Sequence, residues 1–409
     1  MIYRIKFREK LELERVWRSY RCLVRERPEL RVKLVAKGTS NSFSWEQLDE
    51  SETLALLKKE EQSLSDYTSQ EVVESEYHET NSRLPFRIAV TEDKTLFLIV
   101  NHVFTGGRGG LYWFREWLIR YQNRDNSEAP QTGDAVERKP AAIARLPRAM
   151  IGVFWVLVYM INFLFRVGKD PQTNTIDLTH GRTCSKNDKG YSSKNYIFSE
   201  DTTRAFASHV RTQGHSVSVE LLVILARVFF EMFPQKRRIL ISIPTDLREM
   251  LPWIEGSRPG NFTGSLIVQL SREGDLVKQM RREFKWIARG VPYFLPRLMA
   301  FVQNEFKAKE NFHRQATTAI PERAPFENFT LAFSNPGKIR LPELAQSCEW
   351  FSGHAKTQTI FFGVAELSGR LSIEVGISNA LFDKQEVFRV TDRIAEKIEE
   401  IKSSSAESH

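Results

Sequence analysis

The spacing of hydrophobic and polar positions predicts alternating helices and strands along the whole chain. Apolar residues three and four positions apart indicate helices with one buried face, and short apolar or alternating runs indicate strands. In the first half the predicted elements are a strand at 2–7, a helix at 13–24, a short helix at 54–62, strands at 86–90 and 96–100, and an aromatic-rich helix at 111–121. Pro28 is expected to end the first helix.

A polar segment that begins near residue 122 separates these elements from a second series of the same kind. That series contains a strongly apolar helix at 219–233, with Ser218 as its predicted N-cap and Pro234 as its stop. The further predicted elements are strands at 239–243, 265–270, 329–333, 360–367 and 371–377 and helices at 276–287 and 387–401. This mixture predicts an α+β, or mixed α/β, architecture in two halves. We predict an N-terminal half at 1–135, a linker at 136–190 and a C-terminal half at 191–409.

The composition is that of a folded protein that is long for a single core. The chain has 409 residues, 41% of them hydrophobic and 27% charged, and a net charge of +8. No dense Lys/Arg block interleaved with aromatics is present, so nucleic acid is not an expected partner. The three cysteines are far apart, fit no disulfide framework or zinc site, and favour a reducing compartment. Because no signal-peptide pattern follows Met1, we expect a cytoplasmic protein. Because the His and Cys residues show no zinc spacing, we expect no metal site.

Residues 149–165 (AMIGVFWVLVYMINFLF) form an uncharged segment that Arg148 and Arg166 flank. Between Arg138 and Lys169 there are six Lys or Arg residues and no acid. A spanning helix needs about 20 apolar residues, so this segment is at the short limit for one. Three interpretations stay open, which are a buried helix between the halves, a helix on a membrane surface, and a span. The basic flanks favour contact with anionic lipid.

One histidine stands where a predicted buried strand ends. Residues 96–107 read LFLIVNHVFTGG, so the strand runs into His102, and Gly106 and Gly107 follow. A histidine at the end of a rigid strand is well suited to act as a general base, because its pKa lies near neutrality and its position is fixed. The alternative is a core histidine that is hydrogen-bonded to the backbone.

The same stretch resembles the His-His-x-x-x-Asp-Gly motif of the chloramphenicol acetyltransferase and condensation-domain superfamily of acyltransferases. His102 matches the second His and Gly107 the Gly, whereas Asn101 replaces the first His and Gly106 the Asp. Residues 27–31 (RPELR) are similar to an "hP-LR" turn of the family, and Tyr121 to a tyrosine in the helix after the motif.

The second half carries three further stretches that resemble the family in the same order. Residues 244–248 (PTDLR) are similar to its "P-x-D-x-R" strand end, residues 260–262 (GNF) to its "G-N" turn, and residues 334–337 (SNPG) to its "S-N-x-G" turn. The apolar linker, residues 173–177 (TNTID) and the helix at 218–233 resemble the wax ester synthase/diacylglycerol acyltransferase group. The resemblance implies two acetyltransferase-like halves with a substrate tunnel between them.

The implied reaction is direct acyl transfer from a thioester, acyl-CoA or an acyl carrier protein, to a hydroxyl or amine of a hydrophobic acceptor. His102 would be the general base, and the turn at Ser334 and Asn335 would supply a donor to the oxyanion. The alternative for that turn is an ordinary Asx-type bond. No cofactor is expected besides acyl-CoA as a co-substrate, and no G-x-S-x-G nucleophile motif is present.

The departures from the motif open a second interpretation. The family's Asp pairs with the Arg of the strand-end motif, so Gly106 leaves Arg248 to pair with another acid, to be exposed or to bind an anionic substrate group. Gly106, Gly107, Arg248, Ser334 and Asn335 are therefore the predicted substrate-binding residues. The alternative is a catalytically silent scaffold of the same fold that binds an acyl ligand or a protein, and a third reading is a condensation enzyme with a carrier-protein donor.

Overall fold

The structure is a computed structural model of the chain. It describes residues 2–37, 42–63, 83–91, 95–101, 104–105, 107–123, 154–162, 175–178, 191–246, 263–289, 291–292, 330–339, 344–351 and 360–406. The strands are β1 (Ile2–Phe7), β2 (Val32–Lys37), β3 (Ser42–Gln47), β4 (Phe86–Val90), β5 (Thr95–Val100), β6 (Tyr191–Ile197), β7 (Arg238–Asp246), β8 (Thr263–Ser271), β9 (Leu331–Ile339), β10 (Ala345–Phe351), β11 (Ile360–Leu367) and β12 (Arg370–Ser378). The helices are α1 (Leu13–Glu26), α2 (Glu50–Ser63), α3 (Gly107–Gln122), α4 (154–162), α5 (Glu200–Thr212), α6 (Val217–Met232), α7 (Leu276–Ala288) and α8 (Lys384–Ala406).

The chain forms two compact units, each assembled from three segments. Unit 1 contains Met1–Lys139, Leu251–Phe262 and Arg340–Gly353, and unit 2 contains Pro140–Met250, Thr263–Ile339 and His354–His409. The mixed α+β class predicted from the spacing is confirmed by this arrangement of helices and sheets. The division predicted at 1–135, 136–190 and 191–409 stays a prediction.

Unit 1 is organised around a four-stranded antiparallel sheet in the order β10-β1-β5-β4. Strands β4 and β5 are buried at every residue, as expected for runs that are apolar on both faces. Helix α1 buries an apolar stripe, and its Tyr20 donates a hydrogen bond to the Phe86 carbonyl at 2.6 Å. Helix α3 packs beside α1, with Trp113 and Trp117 at 1% and 0% exposure.

Unit 2 contains a six-stranded mixed sheet in the order β6-β12-β11-β9-β7-β8. Strand β9 runs parallel to both of its neighbours, β11 and β7, and the remaining pairs are antiparallel. Helix α6 is apolar nearly all round and lies inside the main core cluster, as the sequence of residues 219–233 indicates. The closing helix α8 contributes Val390 and Ile398, which the predicted spacing placed on its inner face.

Part of the linker also packs on unit 2. Helix α4 buries Val156 and Tyr159 in the core cluster and leaves Phe154, Leu157 and Ile161 exposed. Thr175 forms a parallel bridge with Arg238, and its hydroxyl accepts a hydrogen bond from Arg238 Nε at 2.6 Å. Within the part of the chain that the structure describes, no helix is long and apolar enough to cross a membrane.

Several sequence predictions are corrected by the structure. The N-cap of α6 is Ser216, whose hydroxyl accepts the Val219 amide, and Ser218 lies inside the helix. Strands β2, β3, β6 and β10 and helix α5 were not predicted at all. Strands β6 and β10 form through partners that are distant in the sequence, as when β10 pairs with β1, and no local period of apolar residues signals them. Strands β2 and β3 pair with each other.

Candidate functional site

The segment around His102 in unit 1 follows an interior strand of the sheet. After β5, Asn101 donates its backbone N–H to the Pro85 carbonyl at 2.8 Å, which extends the strand by one residue. The amides of Phe104 and Thr105 then both donate to the Asn101 carbonyl, at 3.0 and 3.1 Å. The chain therefore turns tightly at the residue before His102. His102 itself lies outside the described residues, and its role as a general base stays a prediction.

Phe104 and Thr105, which follow Asn101 and His102, are packed against the rest of the unit. Thr105 is 0% exposed, and the Phe104 ring lies edge-on to Trp45 of β3 with ring centroids 5.5 Å apart. Gly107, one of the predicted substrate-binding residues, is the first residue of α3, and Gly106 lies outside the described residues, so their roles stay predictions. The described residues on the two sides of His102 thus belong to a buried strand that ends at Val100 and to the largely buried helix α3.

A buried carboxylate fixes α3 against the RPELR stretch. Glu116 of α3 is 3% exposed, and its Oε2 accepts from Arg27 Nη2 at 2.6 Å and from Arg120 Nη1 at 3.4 Å. Arg120 also donates to Glu26 at 2.5 Å. Burial lowers the pKa of Arg27, but the hydrogen bond and charge of Glu116 outweigh burial, so its pKa lies above the usual value. Sequence analysis singled out residues 27–31 but gave Glu116 no role.

In unit 2 the SNPG stretch forms a bulge inside β9, whereas the sequence predicted a turn after the strand had ended. Ser334 pairs with Gly363 of β11 and Gly337 with Ala365, so Asn335 and Pro336 lie opposite a single residue, Val364, and β9 has one extra residue there. Gly337 has a φ of +85°, a conformation that glycine adopts without strain. Bulges of this kind re-aim side chains at the end of regular pairing.

Two hydrogen bonds fix the Asn335 side chain. Its Oδ1 accepts from the Gly337 amide at 2.8 Å, which is the Asx-type bond that was one of the two interpretations. Its Nδ2 donates to the Ser218 hydroxyl in the first turn of α6, at 3.0 Å. Ser334 is half-buried beside it. The role of Ser334 and Asn335 in substrate binding stays a prediction, but the structure gives this turn a defined partner, Ser218.

Both motif stretches of unit 2 lie where two parallel strands separate. Strands β7 and β9 pair at Ile241 with Leu331 and at Ser242 with Ala332, and no further pair follows. Pro244 and Ser334 each come two residues after the Ser242–Ala332 pair. In sheets with parallel strands, ligands bind at the carboxyl ends of the strands, where neighbours diverge. Asp246 is the last residue of β7, and Arg248 lies outside the described residues.

Ser218 is the residue at this site that sequence reasoning assigned differently. It was predicted as the helix N-cap, a role that Ser216 has, and its contact with Asn335 connects positions 117 residues apart. The sequence Ser-Val-Ser at 216–218 carries no sign of that contact. Only the resemblance of both stretches to one family could have paired them.

Neither described thiol has the properties of a nucleophile. Burial, followed by the hydrogen bond to Glu26, raises the pKa of Cys22 to about 11. Burial also raises the pKa of Cys348 well above its usual value. A thiol needs a lowered pKa to react at neutral pH. Among the residues that the structure describes, no cluster of three His, Cys, Asp or Glu residues could hold a metal ion.

Solved structures with a similar fold cover nearly the whole chain. The epimerization domain from the third module of tyrocidine synthetase B matches with 14% identity and a TM-score of 0.61, over 99% of this chain and 92% of that one. Polyketide synthase associated protein 5 from Mycobacterium tuberculosis matches with 14% identity and a TM-score of 0.59, over 98% and 94%. The first condensation domain of the calcium-dependent antibiotic synthetase matches with 12% identity and a TM-score of 0.60, over 98% and 90%.

These likenesses show the fold and leave the chemistry open, because the identities are low. A scan against protein-family models gives no match, and a search of curated protein sequences gives none either. The link to the wax ester synthase group therefore stays a prediction from the residues quoted above.

Proposed function

We propose that this chain, which has the fold of condensation and epimerization domains, is an acyltransferase that uses an acyl thioester as donor. The acceptor is a hydroxyl or amine on a hydrophobic molecule. In the proposed step the acceptor oxygen or nitrogen attacks the thioester carbonyl while His102 takes its proton. The C–S bond then breaks, and the protonated imidazole returns the proton to the leaving thiolate. No covalent acyl-enzyme is needed.

The observation that carries the proposal is the local structure on each side of His102. An interior strand that is buried along its whole length, β5, leads into a turn closed by two backbone hydrogen bonds to Asn101. A buried helix, α3, follows at once and is anchored by Glu116. A general base needs such rigid support, since a small displacement from the acceptor costs much of the rate.

The bulge of β9 supports a role in stabilising the oxyanion. Catalytic donors act best when they are held in place before the substrate binds. Here the Asn335 side chain is held by the Gly337 amide and by Ser218, so the backbone of the turn is fixed before any ligand is present. We propose that a donor of this turn meets the developing negative charge of the thioester oxygen.

The donor proposed first is acyl-CoA, with the same acyl group on a carrier protein as the alternative. Both present the thioester on a phosphopantetheine arm, and the net charge of +8 suits either phosphate-bearing donor. The synthetase and polyketide synthase names of the similar structures favour testing the carrier-linked form as well. The wax ester synthase resemblance favours CoA and a long-chain alcohol.

The test is thiol release from acyl-CoAs of graded chain length and from the matching acyl carrier protein, with pooled alcohols and amines. Wild type is compared with His102→Ala and with His209→Ala, a matched control for a histidine in α5 that carries no motif. We expect acceptor-dependent release that falls about 10²- to 10⁴-fold in His102→Ala and stays unchanged in His209→Ala. Release that survives in a folded His102→Ala variant overturns the role of His102.

A second candidate is the silent scaffold, which the two motif departures favour. Asn101 and Gly106 occupy positions where the family motif has His and Asp, and a binding module needs neither. No release with any donor or acceptor, together with tight binding of an acyl-pantetheine probe that His102→Ala leaves intact, would establish the scaffold and overturn the transferase.

A further inference from the structure

Helix α4 presents an apolar face to solvent. Phe154, Leu157 and Ile161 are 57%, 50% and 55% exposed, which is high for large apolar side chains. They are spaced three and four residues apart, so they lie along one face of the helix. The other large apolar residues found exposed in the described part of the chain, Leu13 and Ile197, belong to other elements.

The opposite face of α4 fixes its orientation. Val156 and Tyr159 are 0% and 2% exposed in the core cluster of unit 2. Tyr159 donates its hydroxyl to the Ile267 carbonyl of β8 at 2.7 Å, and its ring lies edge-on to Trp286 of α7. With these contacts in place the helix cannot rotate to bury Leu157 or Ile161 against its own unit.

Basic groups border this apolar face. Helix α7 packs on α4 through Trp286, and the Arg289 guanidinium just beyond α7 lies 3.9 Å over the ring of Trp155. The exposed charged residues of α7 and of the residue that follows it are Lys278, Arg281, Arg282, Lys285 and Arg289, all basic. The acid within α7, Glu283, is 0% exposed. The sequence on both sides of α4 adds six Lys or Arg and no acid between residues 138 and 169.

We propose that Phe154, Leu157 and Ile161, together with Arg282, Lys285 and Arg289, form a docking surface for membranes that carry anionic lipid. We call it the apolar–basic surface. Apolar side chains on one helix face insert at the headgroup boundary, and neighbouring basic groups are attracted to anionic lipid, so the two features act together. Because Val156 and Tyr159 are buried in unit 2, α4 meets the membrane with its exposed face only and lies along the interface.

This inference goes beyond the proposed function and does not depend on it, because membrane binding is measured without turnover. A docked chain would take a hydrophobic acceptor from the same membrane, which fits the proposed chemistry. The two results are therefore separate: a chain that does not bind vesicles still supports the proposed function if it releases thiol, and a chain that releases no thiol still supports the docking surface if it binds vesicles.

The test is co-sedimentation of the full chain with vesicles of phosphatidylcholine alone or of phosphatidylcholine with phosphatidylserine. We expect partition onto the anionic vesicles that weakens as salt is raised. The double change Leu157→Ser and Ile161→Ser should reduce the partition coefficient at least about tenfold, since it removes two inserting side chains. The matched control, Leu13→Ser with Ile197→Ser, removes two apolar residues of other elements that are 52% and 37% exposed, and it should leave partition unchanged.

Charge is tested separately from apolar insertion. Lys285→Gln should weaken binding to the anionic vesicles severalfold and leave the weak binding to neutral ones unchanged, whereas Lys6→Gln, at an exposed position of β1, should change neither. Thermal unfolding checks that every variant is folded. The proposal is overturned if the chain does not partition onto anionic vesicles, or if both double variants bind alike. It is also overturned if wild type is a dimer that the Leu157→Ser, Ile161→Ser variant dissociates, because a second copy would then cover this face.

Discussion

Arg27 donates a hydrogen bond to Glu116 at 2.6 Å and thereby joins the end of α1 to the middle of α3. The two residues belong to the stretches on which the resemblance to acyltransferases rests, the RPELR turn and the helix after His102. Glu116 is 3% exposed and also accepts from Arg120, so one buried carboxylate is shared by two guanidinium groups, of which Arg120 also pairs with Glu26. This cluster supports the segment that carries His102, although none of its members contacts a substrate in the proposed reaction.

The first prediction concerns this cluster. Glu116→Gln leaves Arg27 and Arg120 without the buried negative charge that they share, and breaking a buried ion pair from one side is costly. We expect the free energy of unfolding in urea to fall by about 2 to 4 kcal/mol. Glu29→Gln, an exposed acid in the same turn, is the control and should change it by less than about 0.5 kcal/mol. Equal effects of the two changes would contradict the role given to Glu116.

The second prediction separates structure from catalysis at the β9 bulge. Asn335→Ala removes both the bond from Gly337 and the bond to Ser218, whereas Ser218→Ala removes only the latter. Each lost bond should cost about 1 kcal/mol of stability. If the bulge positions an oxyanion donor, kcat should fall more than about tenfold in Asn335→Ala and less than about threefold in Ser218→Ala. Parallel losses of kcat and stability in both variants would leave the turn without a catalytic role.

The third prediction concerns the tight packing of Tyr191 on Gly376. A Cβ at Gly376 would stand 2.0 Å from the Tyr191 hydroxyl oxygen and 2.9 Å from Glu374 Oε1, so Gly376→Ala displaces the bond that Tyr191 donates to Glu374 at 2.6 Å. We expect a loss of about 1 to 3 kcal/mol from overpacking. Tyr191→Phe removes the oxygen at 2.0 Å and leaves the ring Cζ at 2.8 Å, so it relieves part of the overpacking, and the double variant should be more stable than the two single losses predict by addition. Strict additivity in a thermal or urea titration would contradict the contact.

The fourth prediction follows from the raised pKa of Cys22. Burial and the hydrogen bond to Glu26 raise it to about 11, so the thiol keeps its proton at pH 8.5. Alkylation of Cys22 by iodoacetamide, followed by peptide mass spectrometry, should be roughly a hundredfold slower than alkylation of free cysteine. Glu26→Gln should accelerate it, and Glu14→Gln, an exposed acid on the same helix, should not.

The same pKa sets the sign of a pH effect on stability. A thiol whose pKa is raised on folding binds its proton more tightly in the folded state than in the unfolded state. Its contribution to stability is therefore complete below about pH 9 and is lost as pH rises from about 9 to about 11. Cys22→Ser should flatten that part of the pH profile of unfolding, and an unchanged profile would contradict the shift.

Much of the helical structure was predictable from the sequence, because helix periodicity is local. The apolar spacing between residues 16 and 24 and that between 387 and 398 each define one buried face, and both helices form there, although Leu13, the first residue of the predicted helix, is 52% exposed. The buried runs at 86–90 and 96–100 likewise become β4 and β5. In these segments the residues that fold together are neighbours in the chain, so their pattern carries the information.

The remaining features, such as strand pairing and the bulge of β9, depend on partners that are distant in the sequence, and only the tertiary structure decided them. Strand β10 exists because β1 supplies its hydrogen bonds, and the bulge at Asn335 exists because β11 lies opposite it. The bond from Asn335 to Ser218 and the ion pairs of Glu116 were not predictable from the sequence, because their partners too are distant in the chain. By itself the sequence determined the fold class, most of the helices and the candidate site residues, since these follow from local spacing and motif, whereas α5 was not predicted from it. Pairing, register and hydrogen-bond partners were decided by the folded chain, because backbone and side-chain bonds between distant segments leave no periodic trace in either one.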